Sequence, residues 1–179
     1  MLFRRHLKNL LVKMEYRDII QIPLENTDIR LSLLKERKNV LIVIGFNPST
    51  ADKDKKDPTM GSVLYHAENN GYDGFVMLNL YPLRSTSPDK LPNEIDPVIH
   101  QQNIEHINSI LSKYPESDIL LAYGNLVHKR RYTKDIANEI KSILKENKRR
   151  TLCLYKLKTG NPKHPLRVYG KITFQPYEL

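Results

Sequence analysis

Apolar positions along this chain fall into short unbroken runs separated by longer stretches with helical spacing, and that alternation predicts the architecture. Residues 40–44, Val-Leu-Ile-Val-Ile, carry no polar interruption, the pattern of a strand covered on both faces and therefore of a parallel sheet. Runs at 75–80, 118–123 and 151–155 repeat it. Between them, residues 59–70, 98–113 and 125–148 show helical patterning, with Gly71 closing the first. The order strand, helix, strand, helix, strand, helix, strand predicts an α/β fold, a three-layer α/β/α sandwich around a four-stranded, mostly parallel central sheet. Upstream, residues 29–38 resemble a short helix with Thr27 or Asp28 as its N-cap. Residues 1–21 read as a basic amphipathic helix with Leu2, Leu7, Leu10, Leu11 and Met14 along one stripe. It is open to packing on the domain or to touching DNA or a membrane. Residues 1–37 are then an N-terminal helical extension of a single domain spanning 1–179.

Each apolar run stops on residues able to do chemistry. The first hands over at Gly45 to Phe46-Asn47-Pro48-Ser49-Thr50-Ala51-Asp52, and the second ends on Asn79 before Leu80 and Tyr81. The third is stopped by Gly124 and Asn125, and the fourth leads into a loop bearing Lys163, His164, Pro165, Leu166 and Arg167. Carboxyl ends of parallel strands share one edge, where open α/β sheets bind ligands. The plainer reading of the first handover is a helix N-cap at Ser49 or Thr50. An amide at Asn79 offers a donor and an acceptor together, as the pairing edge of a pyrimidine requires. His164 is placed to stabilise a developing anion, and Asn47 or Asp52 to position a water.

Composition narrows the partner. Lys and Arg number 29 against 20 Asp and Glu, a formal charge of +9, which favours a polyanion, nucleic acid first. His128, Lys129, Arg130 and Arg131 crowd a helix N-terminus, where cations oppose the macrodipole, so a phosphate backbone would explain them. The single cysteine, Cys153, excludes an internal disulfide and any four-thiolate metal or iron–sulfur site. His100 and His106 lack a helical ligand spacing, and no phosphate-binding glycine loop or Ser-His-Asp elbow is present. No cofactor and no metal are therefore expected. No apolar run reaches transmembrane length, and no apolar segment of signal-peptide length precedes Lys13, so a cytoplasmic, membrane-free, monomeric protein is expected.

The loops 47–52 (Asn-Pro-Ser-Thr-Ala-Asp), 57–59 (Asp-Pro-Thr) and 164–166 (His-Pro-Leu) are similar to those of a family of bacterial and mobile-element proteins described only as a domain of unknown function. More distantly, the chain resembles the uracil-DNA glycosylase superfamily. The motifs that carry this are Gly45-Phe46-Asn47-Pro48-Ser49, Met77-Leu78-Asn79, Leu120-Leu121-Ala122-Tyr123-Gly124 and His164-Pro165-Leu166, in that order. The resemblance implies the same fold and a DNA glycosylase that flips uracil, or a similar deaminated base, and hydrolyses its N-glycosidic bond. It implies that Asn47, His164 and Asp52 act in catalysis, and that Asn79, Phe46, Ser49 and Tyr81 bind the base. It implies that Pro48 meets DNA through its backbone and that Leu166 and Arg167 form the wedge that fills the gap left by the flipped nucleotide; Lys129, Arg130 and Lys163 are expected at DNA from their place in the cationic stretches. Ser49 stands where the best-known branch has a methyl-excluding tyrosine, and the last loop is shorter than in that branch, which favours single-stranded or distorted DNA. A non-catalytic nucleic-acid binder on the same fold and a hydrolase of free modified nucleosides are the alternatives.

Overall fold

A computed structural model describes residues 14–25 and 27–179. Its strands are β1 (Ile20–Ile22), β2 (Ser32–Lys35), β3 (Val40–Gly45), β4 (Gly74–Asn79), β5 (Ile119–Leu121), β6 (Thr151–Cys153) and β7 (Gln175–Pro176). Its helices are α1 (Pro58–Asn69), α2 (Pro97–Lys113) and α3 (Arg131–Glu146). The strands form one mixed sheet in the order β1-β2-β4-β3-β5-β6-β7. The four central strands, β4-β3-β5-β6, are mutually parallel, while β1, β2 and β7 pair antiparallel at the edges.

Two-sided burial explains the unbroken apolar runs. Along β3 the side chains alternate between two cores: Val40, Ile42 and Ile44 join one, Leu41 and Val43 the other. The first core is closed by Ile104, Ile107 and Leu111 of α2 with Ile136, Ile140 and Leu144 of α3. The second is closed by Met60, Val63, Leu64 and Ala67 of α1. Each such buried aliphatic side chain contributes roughly 1.5–3 kcal/mol. Proline at the first position and a capping aspartate start both α1 and α2: Asp57 accepts from the Met60 amide, and Asp96 from those of Val98 and Ile99.

Three expectations are corrected. The sheet has seven strands rather than four, because its edges are built from strands of two to four residues, too short to show a periodicity. Residues 29–38 are not helical. Ser32, Leu33, Leu34 and Lys35 are all buried and extend antiparallel along β4, and four consecutive buried positions do not make one helical stripe. The described part of 1–37 thus contributes two strands and no helix, with β1 occupying positions 20 and 21 of the helix expected over 1–21; residues 1–13 of that expected helix lie outside the described residues. Finally, the helix expected from 125 begins only at Arg131. A 3₁₀ turn, Gly124–His128, precedes it, and Thr133 Oγ1 donates to the carbonyls of Val127 and Arg130 across the break. Among the described residues, no helix is long and apolar enough to cross a membrane.

Candidate functional site at the carboxyl edge of the sheet

Register sets the site. Gly45 of β3 lies level with Asn79 of β4, so the first two strands end side by side. Beyond those ends is a cavity of about 160 Å³ whose walls include Phe46, Asn47, Ser49, Asn79, His164 and Leu166. Six residues singled out from separate loops of the sequence therefore meet in one place.

Asn79 is wholly buried, and neither its Nδ2 nor its Oδ1 has a partner among the described residues. Leaving a buried amide unpaired costs of order 1–3 kcal/mol per group, so such a residue calls for a reason. Gly45 makes room for it. A Cβ at Gly45 would stand 2.9 Å from Asn79 Oδ1 and 2.5 Å from Met77 Cε. Asn47 is held differently. Its Nδ2 donates to the carbonyls of Pro48 at 2.8 Å and Ser85 at 3.0 Å. Anchoring the nitrogen in this way fixes which end of the amide is which and leaves Oδ1 as its acceptor.

His164 receives the Leu166 backbone amide on Nδ1 at 3.2 Å. That bond requires a neutral ring protonated on Nε2, so the remaining ring nitrogen is a donor. Burial pushes the His164 pKa down to about 4, reinforced by the neighbouring Lys163 and partly opposed by Asp57. Gly124 seats this loop. Its φ is +62°, and a Cβ on it would lie 2.8 Å from His164 Cβ, so both the backbone conformation and the close approach demand glycine.

Other expected site residues lie elsewhere. Asp52 is not in the cavity wall; its Oδ1 accepts the amides of Asp54 and Lys55 in a local turn. The acidic residue in the cavity wall is Asp57, whose Oδ1 accepts the Met60 amide at 2.8 Å and whose Oδ2 accepts the Ala51 amide at 3.3 Å. Tyr81 is fully buried in the core with α2 and α3, its ring edge-on to Tyr132 and its hydroxyl accepting the Asp96 amide. Arg130 donates to the carbonyls of Asp89, Leu91 and Pro92, and Lys129 pairs with Asp89 at 2.9 Å. These two cations hold the 89–92 loop against the start of α3. Pro48 is buried and its carbonyl accepts the Ser85 amide. Lys163 is half-buried beside the cavity, and Arg167 is exposed with a left-handed backbone, φ +61°.

Sequence reasoning missed Arg30, Met60 and Met77 in the wall. Arg30 is 2% exposed and donates to the Ala51 carbonyl at 2.6 Å; burial, then repulsion from Arg84, lowers its pKa to about 10. Asp57 was visible only as part of an Asp-Pro-Thr motif. Among the described residues, no group of three or more His, Cys, Asp or Glu side chains is placed to hold a metal ion.

These features define a mixed α/β protein with a small, partly polar cavity at the carboxyl edge of its parallel strands. The chain belongs to the family described as protein of unknown function, DUF1643, which matches residues 30–166. That span contains every residue lining the cavity. No curated protein and no solved structure matches the chain.

Proposed function

We propose that this protein is a DNA glycosylase that draws a uracil, or a similarly deaminated pyrimidine, into the cavity and hydrolyses its N-glycosidic bond. One observation carries the reading: the Asn79 carboxamide, buried at the cavity wall with donor and acceptor both unpartnered. A pyrimidine's pairing edge offers the complementary acceptor and donor. The four parallel strands, and the order in which their ends deliver Asn47, Asn79, Gly124 and His164, support the likeness to uracil-DNA glycosylases.

In this reading Phe46 packs on the base while Asn79 reads its edge. Asn47 Oδ1 accepts a hydrogen bond from a water directed at C1′ of the sugar. The water oxygen bonds to C1′ as the bond from C1′ to N1 breaks, and its electron pair leaves with the base. The resulting anion, shared between N1 and its neighbouring oxygen, meets the neutral His164 donor. A neutral amide takes no proton, so Asp57, the carboxylate of the cavity wall, accepts the one released by water.

Incubation of the full chain with single- and double-stranded oligonucleotides carrying one uracil, scored by alkali-labile breaks, tests this. Breaks at the uracil are expected, with a preference for the single strand, where flipping costs less. No break on either substrate at enzyme excess overturns the reading.

A further inference from the structure

A second, more open depression of about 350 Å³ adjoins the cavity, lined by Ser49, Arg84, Ser85, Thr86 and Lys90. Ser49 and Ser85 line both spaces, so a ligand of nucleotide size would span them.

Its chemistry is one-sided. No carboxylate lines it. Among the described residues Lys90 Nζ has no ion pair, because the adjacent Asp89 is paired with Lys129. Among the described residues Arg84 forms no ion pair either: its guanidinium hydrogen-bonds only to neutral oxygens, the carbonyls of Ser49 and Ala51 at 3.0 Å and Gln21 Oε1 at 3.0 Å, with the Asp52 carboxylate acting on it from farther off. Arg30 donates to the same Ala51 carbonyl from behind. Two guanidiniums thus share one neutral acceptor, and the Nε of each is buried without a partner. Asp52 and Asp57 offset part of the repulsion between the two guanidiniums, and an anion in the depression would offset more of it. Hydroxyls complete the set. Among the described residues the hydroxyls of Ser49 and Thr86 have no hydrogen-bond partner, while the Ser85 hydroxyl donates to the Ser87 carbonyl.

We propose that this depression is a phosphate subsite, in which Arg84, Lys90 and the hydroxyls of Ser49 and Thr86 hold a phosphate attached to the nucleoside whose base enters the main cavity. It rests on the base-cavity reading for its second half only. The recognised group is the phosphate itself, whether a terminal monoester or a diester within a strand.

Because Arg84 also holds the Ser49 and Ala51 carbonyls, the test uses two exposed positions, Lys90→Glu and Thr86→Val. Calorimetric titrations of the full chain compare inorganic phosphate, 2′-deoxyuridine, its 5′-monophosphate, and a single-stranded trinucleotide with an abasic central residue. Weak binding of inorganic phosphate is expected, together with at least about tenfold tighter binding of a phosphate-bearing ligand than of the nucleoside. Lys90→Glu should abolish that gain, and Thr86→Val should reduce it. A gain confined to the monophosphate identifies a free nucleotide; a gain confined to the trinucleotide identifies a strand. Phosphate binding that depends on Lys90 without any binding of deoxyuridine keeps the subsite and sinks the base cavity. No gain from phosphate on any ligand, or an equal gain in both variants, overturns the subsite.

Discussion

Asn79 and Asn103 are both fully buried amides, 24 residues apart and in contact, yet they do opposite things. Asn103, on α2, donates through Nδ2 to the carbonyls of Asn79 and Leu80 at 3.1 and 3.0 Å. It secures the end of β4. Asn79, whose backbone is being held, leaves both its amide nitrogen and its oxygen without a partner among the described residues, whereas Asn103 leaves only Oδ1 so. A buried polar side chain that ties backbone to backbone is a structural device; one held rigidly and left unpaired beside a cavity is kept for something that comes from outside.

Substitution should separate the two. Asn79→Leu is expected to lower base release by about a thousandfold, ~4 kcal/mol at the transition state, with thermal stability unchanged or raised because two unpaired polar atoms disappear. Asn103→Leu, which strands two buried carbonyls, should instead cost about 2–3 kcal/mol of stability. Denaturant titration beside initial rates reads both, and equal stability losses in the two variants would erase the distinction.

Gly124→Ala extends the comparison to the loop carrying His164. A Cβ there meets His164 Cβ at 2.8 Å on a left-handed backbone, so about 2 kcal/mol of destabilisation is expected, with a parallel fall in activity. Stability kept with activity intact would mean that the His164 loop shifts harmlessly.

The imidazole itself sets a pH dependence. Its pKa falls on folding to about 4, so between roughly pH 6.5 and 4 the unfolded chain binds more protons, and stability is lost as pH drops through that window. Relative to His164→Gln, the wild type should lose about 2 kcal/mol more between pH 7.5 and 5. His66 and His106, also lowered by burial, are present in both proteins and cancel. Melting curves across pH that superimpose for the two proteins would contradict the neutral, buried ring.

The smallest effect concerns the two carboxylates. Asp52→Ala should cost about 1 kcal/mol through its turn and leave activity in place, whereas Asp57→Ala should cost a similar amount through the α1 cap and also depress activity. Loss of activity only in Asp52→Ala would restore the sequence-based assignment.

The central strands and the three α-helices among the described residues were legible because two-sided burial writes itself as unbroken apolar runs and helix faces as spaced ones. The edges were not: β1, β2 and β7 are short, and their pairing partners are distant in sequence. The meeting of Asn47, Asn79 and His164 followed from parallel topology alone. Which aspartate faces the cavity did not, since Asp52 and Asp57 lie in one loop and only local turn geometry decides. For Arg130 the charge was readable but its carbonyl acceptors were not, because they lie some forty residues upstream.

The most direct measurement follows the side-chain amides of Asn79 and Asn103 in nitrogen-15 spectra of the full chain as uracil is added. The account predicts that the Asn79 pair shifts to saturation while the Asn103 pair stays in place. An Asn79 pair that does not move at any uracil concentration, or moves only as much as that of Asn103, would contradict it.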